Sequence, residues 1–126
     1  MVQVINDSDV IAEVRDCFER YNAALEGGDA EALNGFFWQS PATVRFGPSE
    51  TLFGYDEISN FRSRIWKGTS GGRIAQNAVI TTFGRDVATT NAVFRAGNGA
   101  TSRQSQTWVR LAEGWRIVAA HVSAAP

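Results

Sequence analysis

Cysteine and histidine are nearly absent from this chain, and each absence closes off chemistry. The single cysteine, Cys17, has no second thiol with which to form an internal disulfide. It falls on the apolar side of a helical repeat, where it serves as a small core residue rather than as a nucleophile. The single histidine is His121. One His and one Cys do not make the usual transition-metal ligand sets, and no carboxylates cluster into a hard-cation cage, so no metal is expected. Neither sign of charge is in excess. Lys and Arg number 12 against 13 Asp and Glu, for a net charge of −1. The charges are scattered, so neither nucleic acid nor an anionic membrane is an expected partner. No apolar run is long enough to span a bilayer, and Met1-Val2-Gln3-Val4-Ile5-Asn6 lacks the basic start and apolar stretch of an export signal. A cytoplasmic location is expected. Gly68, Gly71 and Gly72 lack the strand-to-helix setting of a phosphate cradle, and no cofactor is expected. A Ser-His-Asp triad would need Ser105 or Ser123 with His121 and an acid that no pattern supplies.

What the chain does have is clear periodicity. Its 126 residues fit one domain, 1–126, with a single core. Val10, Ile11, Val14, Cys17, Phe18, Tyr21 and Leu25 recur at helical spacing after the cap candidates Asp7 and Ser8, and Gly27-Gly28 ends the run. Asp29 caps a short second helix with Ala30, Leu33, Phe36 and Phe37 inside, closed by Pro41. Thr43 to Gly47 reads as a strand broken by Pro48. After the turn at Gly54, residues Ile58, Phe61 and Ile65 mark a third helix that runs out between Gly68 and Gly72. Strands follow over Ile74 to Phe83, Val87 to Phe94, and a closing hairpin. The class is therefore α+β, a curved antiparallel sheet wrapped around about three N-terminal helices, with a cone-shaped cavity between the layers.

The hairpin carries polar residues in an unusual place. A turn at Ala112-Glu113 with Gly114 in the left-handed conformation pairs Leu111 with Trp115. Counting outward, Val109 faces Ile117, Thr107 faces Ala119, Ser105 faces His121 and Arg103 faces Ser123. That face grades from apolar to polar, as the lining of a half-open pocket would, and Trp108 lies on the opposite face.

The strand Thr43-Val44-Arg45-Phe46-Gly47 with Glu50, the stretch Gly54-Tyr55-Asp56-Glu57-Ile58 with Phe61-Arg62, the segment Thr81-Thr82-Phe83-Gly84-Arg85-Asp86, and the closing motifs Arg103-Gln104-Ser105-Gln106-Thr107-Trp108-Val109-Arg110 and Ala119-Ala120-His121-Val122-Ser123 together resemble the NTF2-like (SnoaL-like, cystatin-like) superfamily. More narrowly they resemble its AtzH-like branch, which includes small oxalurate-catabolism proteins. The resemblance implies the cone fold. It also implies a cofactor-independent role in ureido-compound breakdown beside amidases, with decarboxylation of a carboxylated urea as the activity. The arginine that relatives carry directly after Phe-Arg is displaced here to Arg64.

The residues themselves leave two roles open at most positions. Arg62 shares a helix face with Ile58 and Ile65, a poor place for a charge unless it meets an anion or pairs with Glu50, Asp56 or Asp86. Arg45 and Arg103 face either the pocket or a partner. Converging arginines would grip a small carboxylated substrate bidentately. His121 is either a satisfied core histidine or a general acid, with Ser105 and Ser123 beside it. Tyr55 is a second proton donor or a packing residue, and Glu50 orients an arginine or acts as a base. In the enzyme reading His121 or Tyr55 is catalytic, while Arg45, Arg62, Arg64, Arg103, Ser105, Glu50 and Ser123 bind substrate. The rivals are a carboxylate-binding or amidase-accessory protein, homodimeric through the sheet's outer face with Trp108, and an isomerase or dehydratase with an acid beside His121.

Overall fold

The computed structural model describes residues 4–68 and 72–125. Helix α1 spans Ser8–Glu26 and is capped by Asp7, whose carboxylate accepts from the backbone N–H groups of Asp9 (2.9 Å) and Val10 (3.3 Å). Its expected stripe is buried: Val10, Val14, Cys17, Phe18, Tyr21 and Leu25. Helix α2, Ala30–Gly35, is capped by Asp29 as expected, but it stops well short of Pro41. The chain beyond it leaves helical geometry to pair with the sheet, Ile117 N–H donating to Phe36 O and Trp38 N–H to Ile117 O. No described helix is long and apolar enough to cross a membrane.

Six strands follow in the spatial order β2-β1-β6-β5-β4-β3. They are β1 (Val44–Phe46), β2 (Thr51–Phe53), β3 (Arg73–Phe83), β4 (Val87–Ala96), β5 (Thr101–Leu111) and β6 (Gly114–Ala125). Every pairing is antiparallel except β1 with β6. The short β2 was not anticipated. Helix α3, Tyr55–Asn60, connects β2 to the long strands and continues into Phe61–Ile65. The glycine-rich stretch after Gly68 lies mostly outside the described residues.

Two local irregularities decide which side chains face inward. The first is a wide turn at Phe61–Ile65, closed by Trp66 N–H to Phe61 O at 2.9 Å across five residues rather than four. The extra residue turns Ile65 to solvent, 63% exposed, whereas Ile58 (0%) and Arg62 (2%) are buried. The expected Ile58-Phe61-Ile65 stripe therefore breaks at its last member. The second is a bulge in β6. Near the turn Leu111 pairs with Gly114 and Trp108 with Ile117, but beyond it Thr107 pairs with Ala119 and Ser105 with His121. Val118 is the extra residue. The expected pairs of Leu111 with Trp115 and Val109 with Ile117 are thus replaced, while those of Ser105 with His121 and Arg103 with Ser123 stand. A one-residue shift changes the face on which side chains project. Ile117 is accordingly inside and His121 outside, so the continuous apolar-to-polar face does not exist.

The inner face of the sheet carries Thr82, Ala88, Thr90, Phe94, Gln104, Gln106, Trp108, Ile117 and Ala120, all buried beneath the helices. Trp108 is fully buried in the main core with Val14, Tyr21, Leu33 and Phe37. The reading that placed it at an outer dimer face is corrected by that burial.

Candidate active site

Arg62 lies among aromatic rings rather than on the surface. Its guanidinium carbon sits 4.7 Å from the ring centre of Trp66 and 6.0 Å from that of Phe61. One Nη donates to the Tyr21 hydroxyl at 3.4 Å, and Nε is buried without a partner among the described residues. No salt bridge reaches Arg62 within the described residues. Burial pushes its pKa down, Tyr21 and Glu50 draw it back up, and Arg45 adds repulsion. A guanidinium so placed stays charged, at a cost of several kcal/mol relative to water.

Arg45 reaches the same space from β1. It is 7% exposed, its guanidinium carbon lies 5.6 Å from the ring centre of Phe61, and it donates to Glu50 Oε1 at 2.6 Å. Burial alone would raise the Glu50 pKa. The hydrogen bond and charge of Arg45, helped by Ser49, more than offset this and hold it below the usual value. Glu50 gets there by folding over Gly47, where a Cβ would come within 1.7 Å of Glu50 Oε1. A side chain at this position would push the Glu50 carboxylate away from Arg45.

A third arginine, Arg73 at the start of β3, had not been singled out from the sequence. Its guanidinium carbon stacks 3.8 Å from the ring centre of Phe94. It donates to Asn22 Oδ1 at 3.5 Å, and its Nε is 3.8 Å from Glu26. Burial lowers its pKa; Tyr21 and Glu26 oppose that, and Arg45 adds to it. Three guanidiniums thus face two carboxylates, and Arg62 is the one left without an acid.

The sheet supplies a polar floor. Trp108 Nε1 donates to Thr90 Oγ1 at 3.1 Å, and Thr90 donates onward to Gln106 Oε1 at 3.0 Å. Across the strands Arg45 pairs with Ala120, and Ala120 with Gln106, so one methyl group separates the arginine's row position from the glutamine's. Tyr21 stands edge-on to Phe36 and Phe37, above this floor.

Of the residues singled out from the sequence, the fold therefore brings together Arg45, Arg62 and Glu50. The others lie elsewhere. His121 is exposed on the sheet's outer face, edge-on to Phe46 at 5.8 Å. Ser105 is beside it and donates to Asn91 Oδ1 at 2.7 Å. Arg103 is exposed and donates to the Ala124 carbonyl at 3.4 Å, and Ser123 pairs with Arg103 on that same face. The β6 bulge is the physical reason for all four placements. Arg64 points to solvent from the wide turn, and Tyr55 lines a surface depression with Gln39, Ser40 and Phe53. Cys17 is buried in α1, where burial raises its thiol pKa against the opposing effect of Arg20.

Tyr21, Arg73, Gln104 and Gln106 were missed. The glutamines carried one usable signal. Trp108, the largest side chain of β5, marks the core face, and the alternation of a strand puts Gln106 and Gln104 on that face with it.

A curved six-stranded sheet with three helices packed on one face is the NTF2-like, or cystatin-like, cone fold. Within that class the chain belongs to the AtzH-like family, whose model matches residues 3–126. A protein of unknown function from the DUF3225 family of Pectobacterium atrosepticum is 44% identical, with a TM-score of 0.90 over 97% of this chain and 95% of its own. A cystatin-like fold protein from Burkholderia xenovorans is 41% identical, with a TM-score of 0.92 over 97% and 96%. An NTF2-like superfamily protein from Salmonella enterica is 28% identical, with a TM-score of 0.74 over 94% and 93%. No curated protein matches the chain.

Proposed function

We propose that this AtzH-like protein is a cofactor-independent enzyme of ureido-compound catabolism that decarboxylates a carboxylated urea between Arg45, Arg62 and Tyr21. The observation that carries the reading is Arg62, a buried guanidinium with no acid partner among the described residues. Buried charges are normally paired within the protein, so an unpaired one suits an anionic ligand. The guanidinium fork matches a carboxylate.

An N-carboxylated urea loses carbon dioxide when its carbon–nitrogen bond breaks and the electron pair goes to nitrogen. That nitrogen takes a proton. Tyr21, its hydroxyl 3.4 Å from Arg62, is the donor in this scheme, and the phenolate it becomes is stabilised by that guanidinium until water returns a proton. The arginines hold the carboxylate that stays, and the rings of Phe61 and Trp66 keep water from the one that leaves. This scheme gives Tyr21 the proton-donor role for which His121 and Tyr55 were candidates. A pure binding protein would use the arginines but have no need of a hydroxyl at that point. Isomerase chemistry wants a free carboxylate base of raised pKa, and Glu50 is engaged by Arg45 with its pKa lowered.

The test is release of carbon dioxide above the spontaneous rate from a panel of carboxylated ureas and oxalurate. Tyr21→Phe should lower turnover by about 100-fold or more with binding retained, and Arg62→Gln should weaken binding. No release from any substrate, or full turnover by Tyr21→Phe, contradicts the scheme.

A second copy of the chain is the partner that this reading adds. The sheet's outer face is not covered by the protein's own helices and presents Ile74 and Val79, 73% and 59% exposed, with Phe53 at 58%. Four long strands about 4.8 Å apart and about 30 Å long offer roughly 500 Å² per copy. That lies near the lower bound for a specific interface.

A further inference from the structure

The sheet ends on β3, and one length of that strand's free edge already holds a piece of extended chain. Residues 4–6 lie antiparallel beside it. Asn6 N–H donates to the Thr82 carbonyl at 2.9 Å, Thr82 N–H donates to Asn6 Oδ1 at 2.9 Å, and Gly84 N–H donates to the Val4 carbonyl at 2.9 Å. The N–H and C=O of Thr82 therefore point away from β4. Alternation along the strand gives the same orientation to Ile80 and Ala78. Neither has a backbone partner on that side among the described residues. Further back, a bulge interrupts the ladder between Ala75 and Asn77. The regular, open stretch of edge is thus residues 77–81.

Natural sheets stop further strands from adding to an edge with a charge, a proline or a cover. Over residues 74–83 this strand has neither a charged residue nor a proline. Val79 is 59% exposed, and Asn77 and Ala78 are exposed beside it. We infer that this edge pairs antiparallel with the same edge of a second copy, with Val79 on the two-fold axis. That register sets Ala78 opposite Ile80 of the second copy, so the outward N–H and C=O groups of both residues meet and exchange hydrogen bonds on each side of the axis. Val79 then meets its own copy, Asn77 meets Thr81, and the small Ala78 leaves room beside Ile80. No pair brings charges together. This self-complementarity favours a second copy over an unrelated strand. The seam stops at one end where Asn6 holds Thr82, and at the other where the bulge turns the chain. It lies in the plane of the sheet, apart from any contact through the outer face, and it does not depend on the arginine site.

Amide hydrogen exchange of the unaltered protein, followed residue by residue over a concentration series, reads the seam directly. The N–H groups of Ala78 and Ile80 should exchange at least about tenfold more slowly at the highest concentration than at the lowest, whereas Thr82 N–H, already held by Asn6, should not change. Ala78→Pro removes an edge-facing N–H and leaves the ladder to β4 in place. Sedimentation should find its largest species with about half as many chains as that of the unaltered protein. Ala78→Lys, which keeps the backbone as it is, should do the same by setting a charge in the seam. Edge amides that exchange equally fast at every concentration overturn the inference, and so does a largest species unchanged in both variants. A dimer joined only through the outer face gives that second result, surviving Ala78→Pro without slowing the edge amides.

Discussion

Arg62 is a charge held out of water with no acid partner among the described residues. Removing the Arg62 guanidinium should therefore stabilise the protein. Arg62→Met is expected to raise the unfolding free energy by about 1–3 kcal/mol, measured in urea, while abolishing carboxylate binding. A loss of stability would mean that Arg62 is a structural residue. Glu50 makes the opposite prediction, and one that depends on pH. Its carboxyl titrates below the usual value in the folded protein. Ionised Glu50 therefore contributes stability that is present above the unfolded pKa, about pH 4, and is lost as pH falls through the lower folded value. The stability gap between the unaltered protein and Glu50→Gln should be open at neutral pH and close below that range. A gap constant down to strongly acidic pH would remove the ion pair with Arg45 as its cause.

At the scale of elements, most of the fold was legible in the sequence and the site only in part. The α1 stripe, the caps Asp7 and Asp29 and the pairing of Ser105 with His121 follow from period and turn chemistry. The bulge at Val118 and the wide turn at Phe61–Ile65 do not, because each inserts one residue into a regular repeat without a glycine or proline to mark it. Both errors had one consequence, a wrong assignment of faces. His121, Ser105 and Ser123 were read inward, Arg103 was left open between pocket and partner, and the reading passed over Gln104 and Gln106. Arg73 was missed because a strand's first residue carries no facing signal of its own. The β1–β2 turn and the sheet floor offer two tests. Gly47→Ala should displace Glu50 from Arg45 and reproduce the stability loss of Glu50→Gln. Ala120→Leu should place bulk between Arg45 and Gln106 and weaken carboxylate binding by about tenfold or more with the fold intact, as judged by circular dichroism. Unchanged binding by Ala120→Leu would place the ligand elsewhere.

At the scale of the whole molecule, the sheet divides two kinds of surface. Its concave side, under the helices, holds the buried arginines and the polar floor. Its other side presents His121 with exposed apolar side chains from β2 and β3. The first is proposed as a site for chemistry and the second as a site for a second copy. Sedimentation should accordingly find a dimer that Val79→Asp dissociates without loss of fold, whereas a monomer at all concentrations would leave that face for another use. The most direct test of the central claim is a crystal structure of the protein with malonate, a stable dicarboxylate, because it asks which side of the sheet an anion chooses. The account predicts a carboxylate within hydrogen-bond distance of Arg62 Nε, about 3 Å. Malonate bound instead beside His121 and Ser105, with Arg62 unliganded, would contradict it.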